Sequence, residues 1–492
     1  MNSIINLMPV ILVAMGALVT LAAEPFVKDA NKHKVLPWVA ALFVCLALGS
    51  YALVSTDVIY NLYVMDPVRR LLGVAVVFCA FLGISGLQWT LGHEKFKGGE
   101  AYGLLLLSTT GALLMTQSID YLALFIGMEL TSFPIYALVG LRRKDENAGE
   151  GAFKYFVSGA IFSAIFLYGV ALVYGATSLT SFYASLLSGR ESIYGVGVLL
   201  IVIGLLFKAG AAPLHFWVAD VYTGASVAVT GFMAAVVKVG ALVALASVWG
   251  GILVTRAGVA SNTAWNLAEP LTIAGAPKAL LYVVIIVALL SMAYGAFGGL
   301  AQKSIRRILA YSAVMNAGFI VIGLLLPSYK EGSIQMGAMF YFLVTYAIAS
   351  AGALSGVAYL AGRNDRNENL EDIQGRGRKR PYVALGVTVC LASLAGLPPV
   401  AGFLAKFTLF SEALNGGLGY LAAAAFGFSL VAAVYYMRIA FVLFMPLKPE
   451  CECKCVCANS TPFSYMLKFG VTVAAIALIV IGILPKFALI VG

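Results

Sequence analysis

The chain of 492 residues is poor in charge, because only 11% of its residues are Asp, Glu, Lys or Arg and only 3 are His. Hydrophobic residues make up 61%, and the mean hydropathy is +0.95. Water-soluble domains carry about a quarter charged residues, so the composition argues against a soluble enzyme or a nucleic-acid-binding domain. The net charge of +10 is then better explained by membrane topology than by a nucleic-acid partner.

The sequence also lacks the short motifs that hold redox cofactors. We find no glycine-rich phosphate loop, no flavin or dinucleotide fingerprint and no iron–sulfur spacing of cysteines. We therefore expect no cofactor in this chain. Any electron transfer linked to it would take place in partner subunits.

The seven cysteines fall into two groups. Cys45, Cys79 and Cys390 lie singly in apolar segments, where we expect them to be small core side chains. The other four alternate along one loop and are Cys451, Cys453, Cys455 and Cys457. Their spacing lacks the Cys-x-x-Cys pairs usual for zinc, so metal binding is the lesser alternative. Disulfides are disfavoured, since the topology below places this loop in the reducing cytoplasm.

Long apolar runs are abundant, and each spans about 20 residues, enough to cross about 30 Å of hydrocarbon. We predict an all-α polytopic membrane protein with about 14 transmembrane helices. No basic residue precedes the first run and no small-residue cleavage site follows it, so the first span is expected to stay in the mature protein. The predicted spans are 4–22, 36–54, 68–92, 101–116, 119–140, 151–175, 193–212, 224–250, 277–299, 305–327, 335–361, 381–414, 417–446 and 463–490.

Lys and Arg are distributed unevenly between the two sets of alternate connections. Most of them, including Arg142, Arg143 and Lys144, lie in one set. The positive-inside rule places that set in the cytoplasm. Both termini are then expected on the outer side of a prokaryotic cytoplasmic (inner) membrane.

Two predicted spans are interrupted by proline. Pro213 breaks the seventh span, and Pro398 with Pro399 breaks the twelfth. Pro213 frees the Ala209 carbonyl beside Lys208, and Pro398 and Pro399 free the carbonyls of Leu394 and Ala395, with Lys406 near that break. Two interrupted spans at corresponding places favour a repeated transporter fold with its site near the bilayer midplane.

The repeated units would be spans four to eight and nine to thirteen. We divide the chain accordingly into 1–100 with three N-terminal helices, 101–250 as the first unit, 277–446 as the second, and 447–492 with the Cys-rich loop and the last helix.

Ionisable residues inside the spans are the candidate functional groups. A charge at the middle of a bilayer costs about 2.5–3.5 kcal/mol, so a group kept there is expected to serve a function. Glu129, Lys208, Lys238 and Lys406 are of this kind. For Glu129 the alternative is a buried ion pair that fixes helix register.

Two further candidates have weaker support. Lys154 is near the start of its span, where a lysine can also extend its ammonium group to water. His215 follows the Pro213 break, where it would either transfer protons or cap freed backbone groups.

Five segments that follow one another between residues 60 and 445 resemble a known family as an ordered set. They are Phe153–Thr177, Phe207–Tyr222, Arg306–Ser312, Ser393–Lys406 and Tyr435–Arg438. The set is similar to the subunit N family of proton-pumping NADH-quinone oxidoreductase, complex I. The glycines and tyrosines after Lys154 favour subunit N over the wider antiporter-like family.

The resemblance implies two inverted five-helix repeats in which helices 7 and 12 are broken. It also implies a central proton-transfer axis, with His215 and water as candidate bridges, composed of Glu129, Lys154, Lys208, Lys238 and Lys406. The implied partners are other membrane and peripheral subunits of a complex I-like assembly. Electron transfer from NADH to quinone, with FMN and iron–sulfur clusters, would take place in those partners.

The chain departs from the family pattern at Asn316, at Phe319, where tyrosine is common, at Thr223–Ser226 and in the four-cysteine loop. Asn316 stands where many relatives carry histidine, so proton transfer through that helix is expected to use water. The segment Thr223–Ser226 replaces a usual Glu-Gly-Ala-Pro.

Other functions remain open at this point. One is a subunit of a related cation/proton antiporter, of a membrane-bound hydrogenase or of a dehydrogenase of reduced coenzyme F420. Another is a stand-alone secondary transporter. A purely structural spacer would not explain the buried lysines.

Overall fold

The protein is nearly all helical. The structure is a computed structural model that describes residues 2–94, 98–184, 186–187, 189–257, 278–326, 328–330, 333–362, 369–446 and 465–484. The helices are α1 (Asn2–Ala23), α2 (Lys32–Ser50), α3 (Pro67–Glu94), α4 (Glu100–Gln117), α5 (Tyr121–Val139), α6 (Glu146–Thr177), α7 (Glu191–Ala209), α8 (Val218–Gly224), α9 (Val227–Phe232), α10 (Lys238–Ala257), α11 (Lys278–Leu300), α12 (Ile305–Ile322), α13 (Gly337–Ala361), α14 (Leu370–Ile373), α15 (Arg376–Lys379), α16 (Pro381–Ala395), α17 (Ala401–Asn415), α18 (Gly419–Phe444) and α19 (Tyr465–Ile483).

In the described residues, 12 helices are long and apolar enough to cross a membrane. This confirms the multi-pass membrane class that the apolar runs predicted. Two predicted spans are not among the 12 helices. The first, 101–116, is helix α4, and the second, 381–414, is divided between the shorter helices α16 and α17. The count of 14, the inverted repeats and the four-part division of the chain stay predictions.

Two short antiparallel hairpins in the connections were not expected from the sequence. One pairs β1 (Asp57–Ile59) with β2 (Tyr63–Met65), and the other pairs β3 (Ser328–Lys330) with β4 (Ser333–Gln335). At the first turn Tyr60 and Asn61 have φ of 52° and 56°. The Leu62 N–H donates to the Ile59 carbonyl at 3.1 Å, so these two residues are the centre of a tight turn within the three-residue loop of the hairpin.

Both interrupted spans end in the same local geometry. Helix α7 ends where Gly210 turns left-handed with φ 66°, and α16 ends where Gly396 does so with φ 83°. In each case the glycine N–H and the next N–H bond back to the last helical turn, as in a Schellman motif. The helices therefore stop at glycine before the prolines are reached, and Pro213 and Pro398 prevent them from resuming.

The centre of the bundle is formed by helices that are covered on all sides. The apolar segment of Val227–Ile252, which contains α9 and most of α10, is 100% buried, whereas that of Tyr465–Ile483 is only 33% buried. Helices α12 and α13 pack near this central segment. Between α9 and α10 the residues Met233–Val237 are π-helical, and Lys238 follows them directly. Such bulges are frequent at functional sites.

The single cysteines follow the prediction only in part. Cys79 and Cys390 are buried, but Cys45 is exposed. It lies on the outer surface of α2, beside the exposed Leu42 and Leu46. The predicted loop cluster Cys451–Cys457 lies outside the described residues.

Candidate functional site

Glu129 lies where the protein interior meets the outer surface of α5. Ser163 of α6 donates a hydrogen bond to its Oε1 at 2.5 Å. Ile126 and Phe133, one turn to either side, are 59% and 57% exposed. The sequence indicated a buried acid, whereas the carboxylate is half-buried because an exposed apolar stripe of α5 runs beside it.

Lys208, in the last turn of α7, is buried and held by two hydroxyl groups of α5. Its ammonium group donates to Ser132 Oγ at 2.6 Å and to the Tyr136 hydroxyl at 3.3 Å. These residues follow Glu129 by three and seven positions, so they share its side of the helix. Among the described residues no carboxylate forms an ion pair with Lys208, although Glu129 is close enough to act on it electrostatically.

The sequence suggested that the break at Pro213 leaves the Ala209 carbonyl beside Lys208. The lysine instead points towards α5. Helical side chains tilt towards the helix N-terminus, and Lys208 precedes the break, so it points away from it. Groups near the break find other partners: Trp217 donates to the Phe207 carbonyl, and the Ala212 N–H donates to Ser291.

Lys406 has the opposite relation to the second break. It lies six residues into α17, so the same tilt directs its side chain back towards the gap. The ammonium group donates to the carbonyls of Leu394 and Ala395 at 2.8 Å and 3.0 Å, and to Ser429 Oγ at 2.9 Å. Those are the two carbonyls that Pro398 and Pro399 were expected to free. This lysine therefore stabilises the broken end of α16.

Lys238 connects three central helices. It begins α10 after the π-helical stretch, and its ammonium group donates to the Ala313 carbonyl of α12. The same group lies 5.8 Å from the centre of the Tyr346 ring on α13. Lys238 is 3% exposed. The prediction that it lies deep inside the bundle agrees with this geometry.

A small cavity lies between the Tyr346 ring and Lys406. Its volume is about 10 Å³, the room of about one water molecule, and its lining includes Asn316 and Ser393. Asn316 is one helical turn after Ala313, the residue that accepts the Lys238 hydrogen bond. The cavity therefore joins the surroundings of Lys238 to Lys406.

Lys154 lies in a charged cluster at the surface, away from the buried lysines. Its side chain is 43% exposed and forms ion pairs with Glu150 at 2.6 Å and Asp220 at 2.7 Å. Arg307 lies 3.7 Å from the other oxygen of Asp220. The sequence left open whether Lys154 extends to the membrane edge, and its exposure agrees with that alternative.

His215 is half-buried in the gap between α7 and α8. Its ring centre lies 5.2 Å from that of Tyr294. Its Nδ1 is buried and has no hydrogen-bond partner among the described residues. The imidazole thus has a nitrogen free to exchange a proton, and its role stays a prediction.

Comparison with known proteins gives the family. A family model described as "NADH:quinone oxidoreductase/Mrp antiporter, TM" matches residues 118–264 and 248–432. The chain belongs to this family. The description of the family names the NADH-quinone oxidoreductase that the five sequence segments indicated.

Individual proteins of this family match over most of the chain. A Herminiimonas arsenicoxydans protein named NADH-quinone oxidoreductase subunit N is 31% identical over 98% of this chain and 96% of its own length. A Cupriavidus taiwanensis protein of the same name is 34% identical over 78% of this chain and 76% of its own length. A chain of respiratory complex I from Thermus thermophilus, solved with bound aureothin, aligns with a TM-score of 0.77, 27% identity and 98% coverage of both chains.

Ser226 and Asn316, two of the residues that depart from the family pattern, have local structural roles. The Ser226 hydroxyl accepts a hydrogen bond from the Val229 N–H and so caps the start of α9. The Asn316 amide donates to the Ser312 carbonyl at 2.8 Å and to the Tyr436 hydroxyl at 3.2 Å. Asn316 is therefore fixed in place beside the small cavity.

Sequence reasoning missed two buried arginines, each of which lies at the start of a predicted span. Arg69 is 2% exposed and forms an ion pair with Asp66, and Arg306 is 3% exposed and donates to the Ala225 carbonyl. Arg69 also donates to Ser247 on α10 at 3.0 Å. The acid three residues before Arg69 was the available signal, since an (i, i+3) pair compensates a buried charge.

Proposed function

We propose that this chain is the antiporter-like, proton-conducting subunit N of an NADH-quinone oxidoreductase of the complex I type. Protons cross the membrane through the chain, and electrons pass from NADH to quinone in partner subunits. Full-length similarity to proteins of that name and to a complex I chain supports the assignment. FMN, iron–sulfur clusters and quinone belong, in this proposal, to the partners.

The observation that carries the proposal is a row of three buried lysines without acidic partners, Lys208, Lys238 and Lys406, called the lysine row below. They are 2%, 3% and 6% exposed, and none is ion-paired with a carboxylate in the described part of the chain. Hydroxyl and carbonyl oxygens hold the ammonium groups instead. A structural lysine at this depth would be expected to have a fixed counter-charge. A lysine without one is suited to lose and regain a proton.

The path runs along the lysine row. Protons pass from Lys208 towards Lys238, with His215 and water as bridges, and then to Lys406 and the outer face. The half-buried His215 with its unpartnered Nδ1 supports the first section. The cavity beside Asn316 supports the second, because a water there would lie next to Lys406.

Glu129 is the group through which a partner subunit would control the path. It lies beside an exposed apolar stripe of α5, and it acts electrostatically on Lys208 without an ion pair. A charge brought against that face during quinone reduction would move the carboxylate relative to Lys208. The attraction between opposite charges changes steeply over such distances in a medium of low polarity.

The membrane is, in this proposal, the prokaryotic cytoplasmic membrane, with both termini on the outer side. The basic α5–α6 connection, Arg142–Lys144, then faces the cytoplasm, as the positive-inside rule requires. Proton uptake would occur at that end of the bundle.

A cation/proton antiporter subunit is the second candidate, because the matched family model covers both classes. The same lysine row would serve either function. Subunits that co-purify with the chain decide between them. Flavin and iron–sulfur proteins in the assembly identify the redox-driven complex, whereas an assembly without redox cofactors would identify the antiporter.

The test uses the whole complex in proteoliposomes. Lys208→Met and Glu129→Gln keep approximate side-chain size and remove the charge, so both should assemble and lose most redox-coupled proton pumping. Pumping is compared with the unaltered complex at matched electron flux. Unchanged pumping in both variants would remove Lys208 and Glu129 from the path.

A further inference from the structure

The Tyr136 hydroxyl is the less constrained of the two groups that hold Lys208. Ser132 Oγ also accepts from Lys208, but its own hydrogen is donated to the Met128 carbonyl at 2.7 Å. The Tyr136 hydroxyl accepts from the Lys208 ammonium group and contacts no backbone carbonyl among the described residues. Its hydrogen is therefore available for transfer, whereas that of Ser132 is held by the helix.

Gly159 of α6 determines where this hydroxyl lies. A Cβ atom at Gly159 would stand 2.0 Å from the Tyr136 hydroxyl oxygen and 2.9 Å from Cζ. The Tyr136 hydroxyl thus packs directly against the backbone of α6 at Gly159, and any side chain at Gly159 would displace the hydroxyl. Two other glycines of the same helix, Gly149 and Gly175, have nothing within 4 Å of the corresponding position.

Tyr136 also lies between Lys208 and the charged surface cluster of Lys154. Its ring meets that of Tyr155 edge-on at 4.9 Å, and the Tyr155 hydroxyl is buried without a hydrogen-bond partner in the described residues. Lys154 precedes Tyr155 in sequence and is ion-paired with Glu150 and Asp220. Because α5 and α6 are joined by a short connection, these groups share one end of the bundle.

The exposed fraction falls from the surface cluster through Tyr136 to Lys208. The side chains of Glu150, Asp220 and Lys154 are 60%, 36% and 43% exposed, Tyr136 is 8% exposed and Lys208 is 2% exposed. Surface carboxylates exchange protons with water readily, while a buried amine cannot do so without an intermediate group. A hydroxyl between the two is suited to be that group.

We propose that Tyr136 is the residue that delivers protons to Lys208 from the surface cluster of Glu150, Lys154 and Asp220, and that Gly159 positions its hydroxyl. This inference rests on the proposed function, because it supplies the uptake step of the lysine row. The neutral Lys208 amine takes the hydroxyl hydrogen while the Tyr136 oxygen takes a proton from water or a carboxylic acid on the cluster side. Two bonds to hydrogen break, one in the donor on the cluster side and the original O–H of Tyr136, and two form, a new O–H at Tyr136 and an N–H at Lys208. The donor is left as its conjugate base, and one proton has moved inwards.

The first variant is Tyr136→Phe, which keeps the ring and its aromatic contacts and removes the hydroxyl. In the whole complex in proteoliposomes we expect redox-coupled proton ejection to fall about tenfold, equivalent to about 1.4 kcal/mol in activation free energy. Electron flux is matched and rates are normalised to assembled subunit. Proton ejection at the unaltered rate would overturn the inference.

The second variant tests the positioning by Gly159. Gly159→Ala should lower ejection in the same way, whereas the matched change Gly175→Ala on the same helix should leave it unaltered. In a Tyr136→Phe background, Gly159→Ala should cost little more, because residues that act through one contact are not additive. Additive losses in the double variant would show that Gly159 does not act through the hydroxyl and would overturn its positioning role.

Lys208→Met separates failure of this inference from failure of the proposed function. Loss of pumping in Lys208→Met together with normal pumping in Tyr136→Phe would refute only the uptake step. Normal pumping in both variants would refute the lysine row as well.

Discussion

Lys406 allows the sharpest distinction between a proton-loading group and a structural anchor. Replacement by methionine removes three hydrogen bonds, to the carbonyls of Leu394 and Ala395 and to Ser429. Leaving two buried carbonyls without donors costs about 1–3 kcal/mol each, so about 2–6 kcal/mol together. Removing a charge from the membrane interior returns about 2.5–3.5 kcal/mol. These effects largely cancel, and we expect Lys406→Met to assemble.

Arginine at the same position keeps the charge but not the proton transfer, because a guanidinium group does not release its proton in proteins. We therefore expect Lys406→Arg and Lys406→Met both to lose proton pumping while subunit content remains near normal. The assay measures pumping by the complex in proteoliposomes at matched electron flux, with subunit content determined on the same membranes. Lys468→Met serves as a control, since this lysine lies on α19 beside the exposed Tyr465.

A structural anchor would behave differently. The arginine variant would keep its contacts with the carbonyls and pump normally, and the methionine variant would chiefly lose assembly. A fully active Lys406→Arg complex would therefore refute the proton-loading role.

Three other predictions follow from the sequence and the structure. Replacing all of Cys451, Cys453, Cys455 and Cys457 by serine should leave pumping unchanged, and stoichiometric metal lost together with activity would contradict this. Asn316→Leu should slow pumping, because an apolar side chain would no longer hold a water beside Lys406, whereas Asn316→His should keep at least the unaltered pumping rate. Equal pumping rates in the unaltered complex and in both variants would exclude a role for the cavity. Arg69→Met should reduce the assembled subunit in heat-challenged membranes, since breaking a buried ion pair costs about 3–5 kcal/mol, and unchanged thermal stability would show that Asp66 is compensated otherwise.

The sequence predicted what depends on chain composition and on strong local breaks. Apolar runs of membrane length gave the helices, and the prolines located both interrupted spans. They also gave the acceptors of Lys406, because the carbonyls lost from a helix lie at a fixed spacing before proline. The helix ends themselves were assigned less well, since Gly210 and Gly396 stop the helices before the prolines do.

Partners supplied by other helices were not predictable in the same way. Lys208 binds hydroxyls of α5 that lie more than seventy residues earlier in the chain, and the sequence pointed only to its own broken helix. The half-exposure of Glu129 likewise depends on which side of α5 is left uncovered. Both the partners of Lys208 and the exposure of Glu129 follow from how the helices pack against one another, and residue spacing in a single sequence does not predict that packing.

The most direct test of the account is the number of protons moved per electron by the purified complex in proteoliposomes, compared between the unaltered complex and Lys238→Met. Lys238 lies in the middle of the lysine row and is 3% exposed, and in this account every proton that reaches Lys406 passes it. The account predicts a lower ratio in the variant at matched electron flux and normal subunit content. An unchanged ratio would show that protons do not cross the membrane through this chain's lysine row.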